Sequence, residues 1–233
     1  SSVGFGGGST YLALLLIWGI PYQIFPVIAL CCNIIVVSGN CFNYIRAGNI
    51  NFKLLTPYLS SSIPLAFIGG SLNINKSFFE ILLFVVLSLA GFLLLLNFRS
   101  FDDNKIIFKK VSITISVFIG GSIGFISGVV GIGGGIFLSP ILFLLRADKA
   151  KHIATTASLF ILINSIAGLG GQFTKGFIFN EIHNYWSLFL LVLIGGQLGN
   201  FLNIRIFPAR ILAFVTAGLV IFVAIRIGYK IFL

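Results

Sequence analysis

The sequence predicts an all-α polytopic membrane protein with two inverted-topology helical repeats, in which short, interrupted helices follow glycine-rich clusters. Three observations lead to this fold class. Apolar runs of about 20 residues follow one another with short polar breaks between them. Charged residues make up 9% of the chain, against about 25% in a water-soluble domain. A glycine-rich cluster recurs near the start of each half.

The apolar runs give the predicted helices in order. They cover about residues 9–20, 24–46, 57–73, 78–98, 111–130, 134–146, 152–174, 185–203 and 209–232. The breaks between them carry the turn and charge signals. The runs 9–20 and 134–146 are too short to cross about 30 Å of hydrocarbon at about 1.5 Å per residue. Each of these two runs begins directly after a glycine cluster.

The two halves of the sequence repeat the same blocks in the same order. VGFGGG at 3–8 matches VGIGGG at 130–135, and IGGSL at 68–72 matches IGGQL at 194–198. In both halves a short apolar run and then a long one follow the glycine cluster. The repeat therefore predicts two structurally related units.

We expect a first transmembrane repeat over residues 1–100 and a second over 101–233. The helix at 111–130 has no counterpart in the first half, so we expect an N-terminal truncation that removes one leading helix. Five helices per complete repeat, an odd number, give the two halves opposite orientations. Most lysines and arginines fall in breaks on one side of the membrane, which the positive-inside rule assigns to the cytoplasm.

The glycine clusters are the predicted substrate site. Unwound backbone at membrane depth is tolerated only where it is buried in protein or lines a cavity. The helix after such a segment offers unpaired amide N–H groups and the positive end of its dipole. We expect the two clusters to meet near the midplane and hold an anion. These residues are Gly6, Gly7, Gly8, Ser9, Gly133, Gly134 and Gly135, with Pro140 marking a weak point in the second short helix.

Close helix packing is the alternative role for these glycines. Gly120, Gly124 and Gly128 fit it well, because their four-residue spacing is typical of small-residue helix interfaces. A nucleotide-binding loop is disfavoured, since GIGGGI lacks the Lys-Ser/Thr of a phosphate loop and the strand of a dinucleotide fold.

Polar side chains on two long helices predict a path for the substrate. Asparagines that faced lipid would be costly, so we expect these side chains to face protein or water. Hydrogen bonding between helices remains the alternative to substrate contact. The predicted path residues are Asn33, Asn40 and Asn43 on the first helix, and Thr155, Thr156, Ser158 and Gln172, with Ser165 on the same face, on the second.

The titratable side chains favour an anionic substrate. All five acidic residues fall in or beside the breaks, so none lies at mid-membrane, where cation carriers often place a carboxylate. His152 and His183 fall at helix ends, where a loop or interfacial role fits better than proton coupling. The three cysteines lie on one predicted helix without partners at ligand spacing, which indicates packing. The net charge of +10 lies in the breaks, so it does not indicate nucleic acid.

Together these blocks resemble the TauE/SafE sulfite exporter family, also called the toluene sulfonate uptake permease family. The resemblance rests on VGFGGGSTYLALLLIWGIP and IALCCNIIVVSGN in the first half, and on GFISGVVGIGGGIFLSPILFLL, ATTAS and IGGQLGNFLNIRIFPARILAFVTAGLVIF in the second. It implies a multi-pass secondary transporter of sulfur-containing or organic anions in a bacterial inner membrane or plant equivalent. The first half has Ala13 at the position of Pro140, so the two short helices need not bend alike.

The predicted function is alternating-access transport of a small sulfite-like or sulfonate-like anion. The expected partners are this anion and the lipid bilayer, with no cofactor, metal or nucleic acid, and homo-oligomerisation is left open. A non-transporting membrane assembly or channel subunit is the alternative. An enzyme is disfavoured, because neither histidine lies at mid-helix beside a serine.

Overall fold

The computed structural model describes residues 7, 8, 11, 15, 20–46, 48–96, 108–109, 111–176, 185–205 and 209–232. Within these ranges the regular secondary structure is helical throughout. The helices are α1 (Phe25–Arg46), α2 (Phe52–Ser71), α3 (Lys76–Leu96), α4 (Ile113–Val130), α5 (Gly135–Leu144), α6 (Ala150–Phe173), α7 (Trp186–Arg205) and α8 (Ala209–Phe232).

The helix lengths confirm the polytopic membrane fold. By length and composition, α1, α3, α4 and α6 are able to cross a membrane. Helix α5 has only 10 residues, as the short run after the second glycine cluster predicts. The run 9–20 lies mostly outside the described residues.

The surface of the bundle is apolar. Phe118 of α4 is 76% exposed, and Leu191 of α7 and Phe222 of α8 are more than half exposed. Many other large apolar side chains of the described helices are exposed as well, and apolar surface on this scale is rare on soluble monomers. These side chains are placed to face lipid.

Helix α2 begins earlier than its apolar run predicts, at Phe52 instead of residue 57. The side-chain oxygen of Asn51 accepts a hydrogen bond of 3.2 Å from the amide of Leu54. This N-cap supplies an acceptor for a free amide of the first turn, so the polar segment before the apolar run is already helical.

Helices α2 and α4 pack closely and in parallel. Gly124 faces Ser62 of α2, and a Cβ at Gly124 would lie 2.7 Å from the Cβ of Ser62. One turn further along both helices, Gly128 meets the carbonyl of Ala66. The packing role predicted for the four-residue glycine pattern, which starts at Gly120, is confirmed.

Two loop contacts define what we call the first end of the bundle. Asn51, just before α2, donates a side-chain hydrogen bond of 2.7 Å to Asp148, just before α6. The amide of Lys109, before α4, donates a hydrogen bond of 3.0 Å to the carbonyl of Arg146. Helices α2, α4 and α6 therefore start together at this end and finish together at the opposite one, the second end.

The helices of the two halves run in opposite directions where the repeat aligns them. Gly91 of α3 contacts Ile221 of α8, while Gly228 of α8 contacts Phe84 of α3, so this aligned pair is antiparallel. The aligned helices α1 and α6 also start at opposite ends. These directions agree with inverted repeats, and the symmetry itself stays a prediction.

Candidate functional site

The turn between α4 and α5 contains the second glycine cluster. Gly131, Gly133 and Gly134 have φ angles of 86°, 80° and 83°, in the left-handed region that other residues rarely adopt. The carbonyl of Gly134 accepts hydrogen bonds of 3.1 Å from the amides of Phe137 and Leu138. The glycines thus allow one helix to end and the next to start within a single short turn.

The first glycine cluster touches this turn through Gly8. A Cβ at Gly8 would overlap the carbonyl oxygen of Ile132 and would lie 3.0 Å from Nδ2 of Asn33. Residues far apart in the sequence, one from each predicted repeat, are therefore in direct contact.

Asn33 of α1 bonds to the backbone of the same turn. Its Nδ2 donates hydrogen bonds of 3.1 Å to the carbonyl of Ile132 and 3.5 Å to that of Gly131. The side chain is fully buried, and its Oδ1 has no hydrogen-bond partner within the described structure. Since buried polar atoms are nearly always satisfied, this oxygen is a position for a water molecule.

Helix α6 adds more buried polar atoms beside the turn. A Cβ at Gly133 would lie 3.1 Å from Oγ of Ser165 and 2.8 Å from Nδ2 of Asn33, so both side chains reach this glycine. Several buried atoms of α6 have no hydrogen-bond partner among the described residues, which indicates a polar interior able to bind water. They are Oγ1 of Thr156, Oγ of Ser158, Oδ1 of Asn164 and Oγ of Ser165.

The contact between the clusters leaves no room for an anion in this conformation. Gly8 meets a carbonyl oxygen, which is a hydrogen-bond acceptor and would repel an anion. A Cβ at Gly134 would lie 2.7 Å from Cγ2 of Ile123 and 2.8 Å from Cε1 of Phe160. Ligation of an anion by the glycine amides therefore requires this contact to open, and it stays a prediction.

Gln172, near the end of α6, connects the glycine turn to the second end. Its Nε2 donates a hydrogen bond of 3.0 Å to the carbonyl of Gly128, in the last turn of α4. Its Oε1 accepts a hydrogen bond of 2.9 Å from Nζ of Lys175. Burial lowers the pKa of Lys175 below its usual value, because desolvation disfavours the ammonium. A bound anion would stabilise this charge.

A cavity of about 510 Å³ opens at the second end, above the glycine turn. Gln23 and Asn73 are exposed, so the cavity reaches the protein surface beside them. Lys175 supplies a positive charge, and none of the described lining residues is acidic. The lining residues are Tyr22, Gln23, Ile24, Pro26, Asn73, Ile74, Phe79, Val129, Gln172 and Lys175.

At the first end, Asp148 ties two loops together. It accepts the hydrogen bond of Asn51 and lies 3.0 Å from Nδ1 of His152. Burial raises the pKa of Asp148, but hydrogen bonds from Asn51 and the Lys149 amide, together with the nearby His152, outweigh it and hold this pKa below its usual value. The carboxylate is 15% exposed, so the contact is largely shielded from water.

The structure brings together part of the predicted site. Gly8, Asn33 and Gly133 meet at the glycine turn, and Gln172 joins that turn to the cavity. The other predicted residues of the turn and of α5, which are Gly134, Gly135 and Pro140, are buried next to it. Gly7 has a φ angle of 97°, and Gly6 and Ser9 lie outside the described residues.

The predicted polar path is buried for most of its length. Asn40, Thr155, Thr156 and Ser158 are buried, and the hydroxyl of Thr155 donates a hydrogen bond of 2.8 Å to the carbonyl of Lys151. Asn43, by contrast, is exposed one turn before the end of α1. It therefore lies apart from the glycine turn.

Sequence reasoning missed the residues that form the cavity mouth. Lys175 lies in a polar break on the side of the membrane where few lysines and arginines are predicted. A basic residue that is unusual for its side was the one sequence feature that could have indicated an anion-binding role. Tyr22, Gln23 and Asn73 belong to no motif, repeat or periodic stripe in the sequence. Their role depends on three chain segments meeting at the second end.

Comparison with known proteins identifies the family. The family model described as "Sulfite exporter TauE/SafE" matches residues 1–227. The chain belongs to this family. It is therefore a multi-pass membrane transporter and not an enzyme.

Relatives of this TauE/SafE chain carry matching descriptions. A probable membrane transporter protein of Sinorhizobium fredii is 26% identical over 90% of the chain and 84% of the relative. One from Methanocaldococcus jannaschii is 25% identical over 91% and 84%, and YunE of Bacillus subtilis is 23% identical over 87% and 83%. The bacterial relatives agree with an inner-membrane location. No solved structure matches the chain significantly.

Proposed function

We propose that this TauE/SafE protein moves a small sulfur-containing or organic anion across the membrane by alternating access. The observation that carries this proposal is the asymmetry of the bundle. A cavity lined by Lys175 opens at the second end and reaches Val129, in the last turn of α4 before the glycine turn, while Asn51 and Asp148 join two loops at the first end.

The chemistry of the cavity favours an anion over a cation. The ammonium of Lys175 and the side-chain amides of Gln23 and Asn73 are available as donors. A cation carrier would instead place carboxylates or carbonyl oxygens around its ion.

The contacts around the glycine turn suggest how access alternates. Gly8, Asn33 and Ile132 form the barrier below the cavity, because no solute fits between them. An anion that crosses must separate this contact and release the Asn51–Asp148 hydrogen bond at the first end. Discontinuous helices at the interface of two repeats that rock against each other are typical of inverted-repeat transporters.

Flux measurements on reconstituted protein test the proposal. Proteoliposomes loaded with radiolabelled sulfite or benzenesulfonate should exchange it with the outside at a rate that saturates with concentration. Asn33→Leu removes the donor to Ile132 at similar side-chain volume and so weakens the barrier, and we expect flux that is faster than in wild type and no longer saturates with concentration. Ser38→Leu is the matched control, because Ser38 is an exposed residue of the same helix.

Both variants must insert and elute as monodisperse protein for the comparison to count. If Asn33→Leu does not fold, Asn33→Ala, which also removes the donor, takes its place. Flux that matches wild type in rate and in saturation, in the folded Asn33 variant, would contradict the proposed barrier. Single-channel conductance in a planar bilayer, instead of saturable exchange, would favour the channel-subunit alternative.

A further inference from the structure

The glycine turn between α4 and α5 faces one side of α6. A Cβ at Gly134 would lie 2.8 Å from Cε1 of Phe160, and a Cβ at Gly133 would lie 3.1 Å from Oγ of Ser165. Successive residues of an α-helix are rotated by about 100°, so the direction of Asn164 falls between those of Phe160 and Ser165. Asn164 therefore faces the same turn as these two neighbours.

Two asparagines present acceptor oxygens beside this turn. Nδ2 of Asn33 donates a hydrogen bond of 3.1 Å to the carbonyl of Ile132, and Nδ2 of Asn164 donates one of 2.9 Å to the carbonyl of Phe160. These bonds fix both amides, because a flipped amide would set its oxygen against a carbonyl oxygen. Both side chains are fully buried, and neither Oδ1 has a hydrogen-bond partner among the residues that the structure describes.

Ser165 and the end of α4 add further oxygens at the same place. Oγ of Ser165 is buried and also lacks a partner within the described ranges. This oxygen and Nδ2 of Asn33 both lie no more than 3.1 Å from a Cβ placed at Gly133. The last carbonyls of α4, which ends at Val130, point towards the turn and carry the negative end of the helix dipole. Oxygens of α1, α4 and α6 thus converge here.

Such a set of neutral oxygens fits a small monovalent cation. Hard cations bind oxygen ligands, and in inverted-repeat transporters unwound carbonyls and helix C-terminal ends coordinate sodium. Divalent cations are usually held by one or more carboxylates, which these side chains do not provide. A proton has no carrier here, since amides and hydroxyls do not titrate near neutral pH.

We propose that a sodium ion binds at the glycine turn and is transported together with the anion. Its ligands are Oδ1 of Asn33, Oδ1 of Asn164 and Oγ of Ser165, with carbonyl oxygens from the end of α4. This inference rests on the proposed transport of anions and adds the coupling ion. The tight space around Gly133 favours sodium over the larger potassium ion.

The position of the sodium site links it to the anion without merging the two sites. Lys175 is bonded to Gln172, which lies seven residues after Ser165, about 10 Å further along α6. The unpaired amides at the start of α5 follow the turn directly at Gly135. An anion that reaches them comes next to the cation, so each ion raises the affinity for the other.

Thermal unfolding of the purified chain in lipid nanodiscs, without a substrate anion, tests the site. Sodium chloride, potassium chloride and choline chloride are compared at equal ionic strength, so screening is the same in all three. We expect sodium to raise the melting temperature progressively with its concentration, as a ligand of the folded state does. Equal melting temperatures in the three salts would overturn the proposal and show that these oxygens bind water only.

Two variants remove one proposed ligand each. Ser165→Ala should weaken the sodium affinity by about tenfold or more, and Asn164→Leu should do the same. Ser116→Ala is the matched control, because Ser116 is a buried serine near the start of α4 whose hydroxyl donates to the carbonyl of Ser112. Size-exclusion profiles establish which variants are folded. A sodium response of wild-type size in a folded Ser165 or Asn164 variant would contradict the site.

Flux into proteoliposomes distinguishes this inference from the transport proposal. Saturable flux of the anion should be lost when choline replaces sodium. Saturable flux that is equal in sodium and choline would overturn the coupling and leave anion transport standing. Sodium binding that Ser165→Ala weakens, in a protein without flux, would support the site and contradict transport.

Discussion

Asn51 and Asp148 form a hydrogen bond of 2.7 Å that joins the loop before α2 to the loop before α6. The two residues belong to different predicted repeats. Asn51 also caps α2 with its other side-chain atom, through the amide of Leu54. One short side chain therefore starts a helix and ties the two halves of the chain at the first end.

Asn51→Ala should destabilise the protein more than removal of an ordinary cap does. Asn75 is the matched control, because its Oδ1 accepts a hydrogen bond of 2.8 Å from the amide of Phe78 at the start of α3 and no bond between loops is involved. Loss of a cap costs about 1 kcal/mol, and we expect Asn51→Ala to cost about 1 kcal/mol beyond Asn75→Ala. Unfolding in mixed detergent micelles measures the difference. An equal loss of unfolding free energy in the two variants would show that the hydrogen bond to Asp148 does not contribute to stability.

The contribution of Asp148 to stability should disappear in acid. Its pKa in the folded protein lies below the usual value, because hydrogen bonds to its charged form outweigh the effect of burial. A lowered pKa adds stability that is complete above the unfolded-state pKa, about 3.9, and is lost as the pH falls through the folded value. The free energy of unfolding of Asp148→Asn should therefore fall short of wild type by a constant amount between pH 5 and 7. This gap should begin to narrow below about pH 4 and close as the pH falls through the folded-state pKa. A gap that widens in acid would contradict the assignment.

Alanine at Gly128 should disrupt the interface between α2 and α4. A Cβ there would overlap the carbonyl of Ala66 and lie 2.8 Å from the amide nitrogen of Gly70. Overpacking of this kind costs about 1–3 kcal/mol. Gly195→Ala is the control, because Gly195 is helical and nothing lies within 4 Å of its added Cβ. That variant should be neutral or stabilised by up to about 1 kcal/mol. Thermal unfolding of both variants measures the change in stability relative to wild type. A Gly128→Ala protein as stable as wild type would contradict the close approach of α2 and α4.

Gln172→Glu should weaken anion binding by placing a competing carboxylate beside Lys175. The new group would take the position of Oε1, now 2.9 Å from the ammonium, and neutralise its charge. Gln172→Met controls for the lost amide without added charge. We expect Gln172→Glu to bind benzenesulfonate at least about tenfold more weakly than Gln172→Met at pH 7.5. Titration calorimetry measures the two affinities. Equal affinities would show that Gln172 does not lie near the bound anion.

The sequence predicted the helices and the meeting of the glycine clusters, for reasons that are local. Apolar runs of membrane-spanning length give the helices. The repeat of VGFGGG and VGIGGG gives the matched turns, and the structure places Gly8 against Ile132. The four-residue glycine spacing likewise predicted close helix packing, because it is a property of one helix face, and the structure shows that the partner is α2.

The cavity was beyond sequence reasoning because it depends on tertiary contacts. Tyr22 precedes α1, Asn73 follows α2 and Lys175 follows α6, and only the fold brings these three together. The same limit affected Asn43, which shares a stripe with Asn33 on α1 but is exposed near the helix end. Helical periodicity predicts which way a side chain points. It does not predict how far a neighbouring helix extends, and therefore whether that side chain is buried.

The packing of α2 against α4 and α6 has a consequence for how the protein is made in the cell. Helix α2 leaves the ribosome before α3, and its contact partners Gly124 and Gly128 emerge only after α3 has been synthesised. Until then the polar side of α2, with Ser61 and Ser62, faces translocon, chaperone or lipid instead of α4. During synthesis, α2 is therefore complete for some time before the helix that covers its polar side exists.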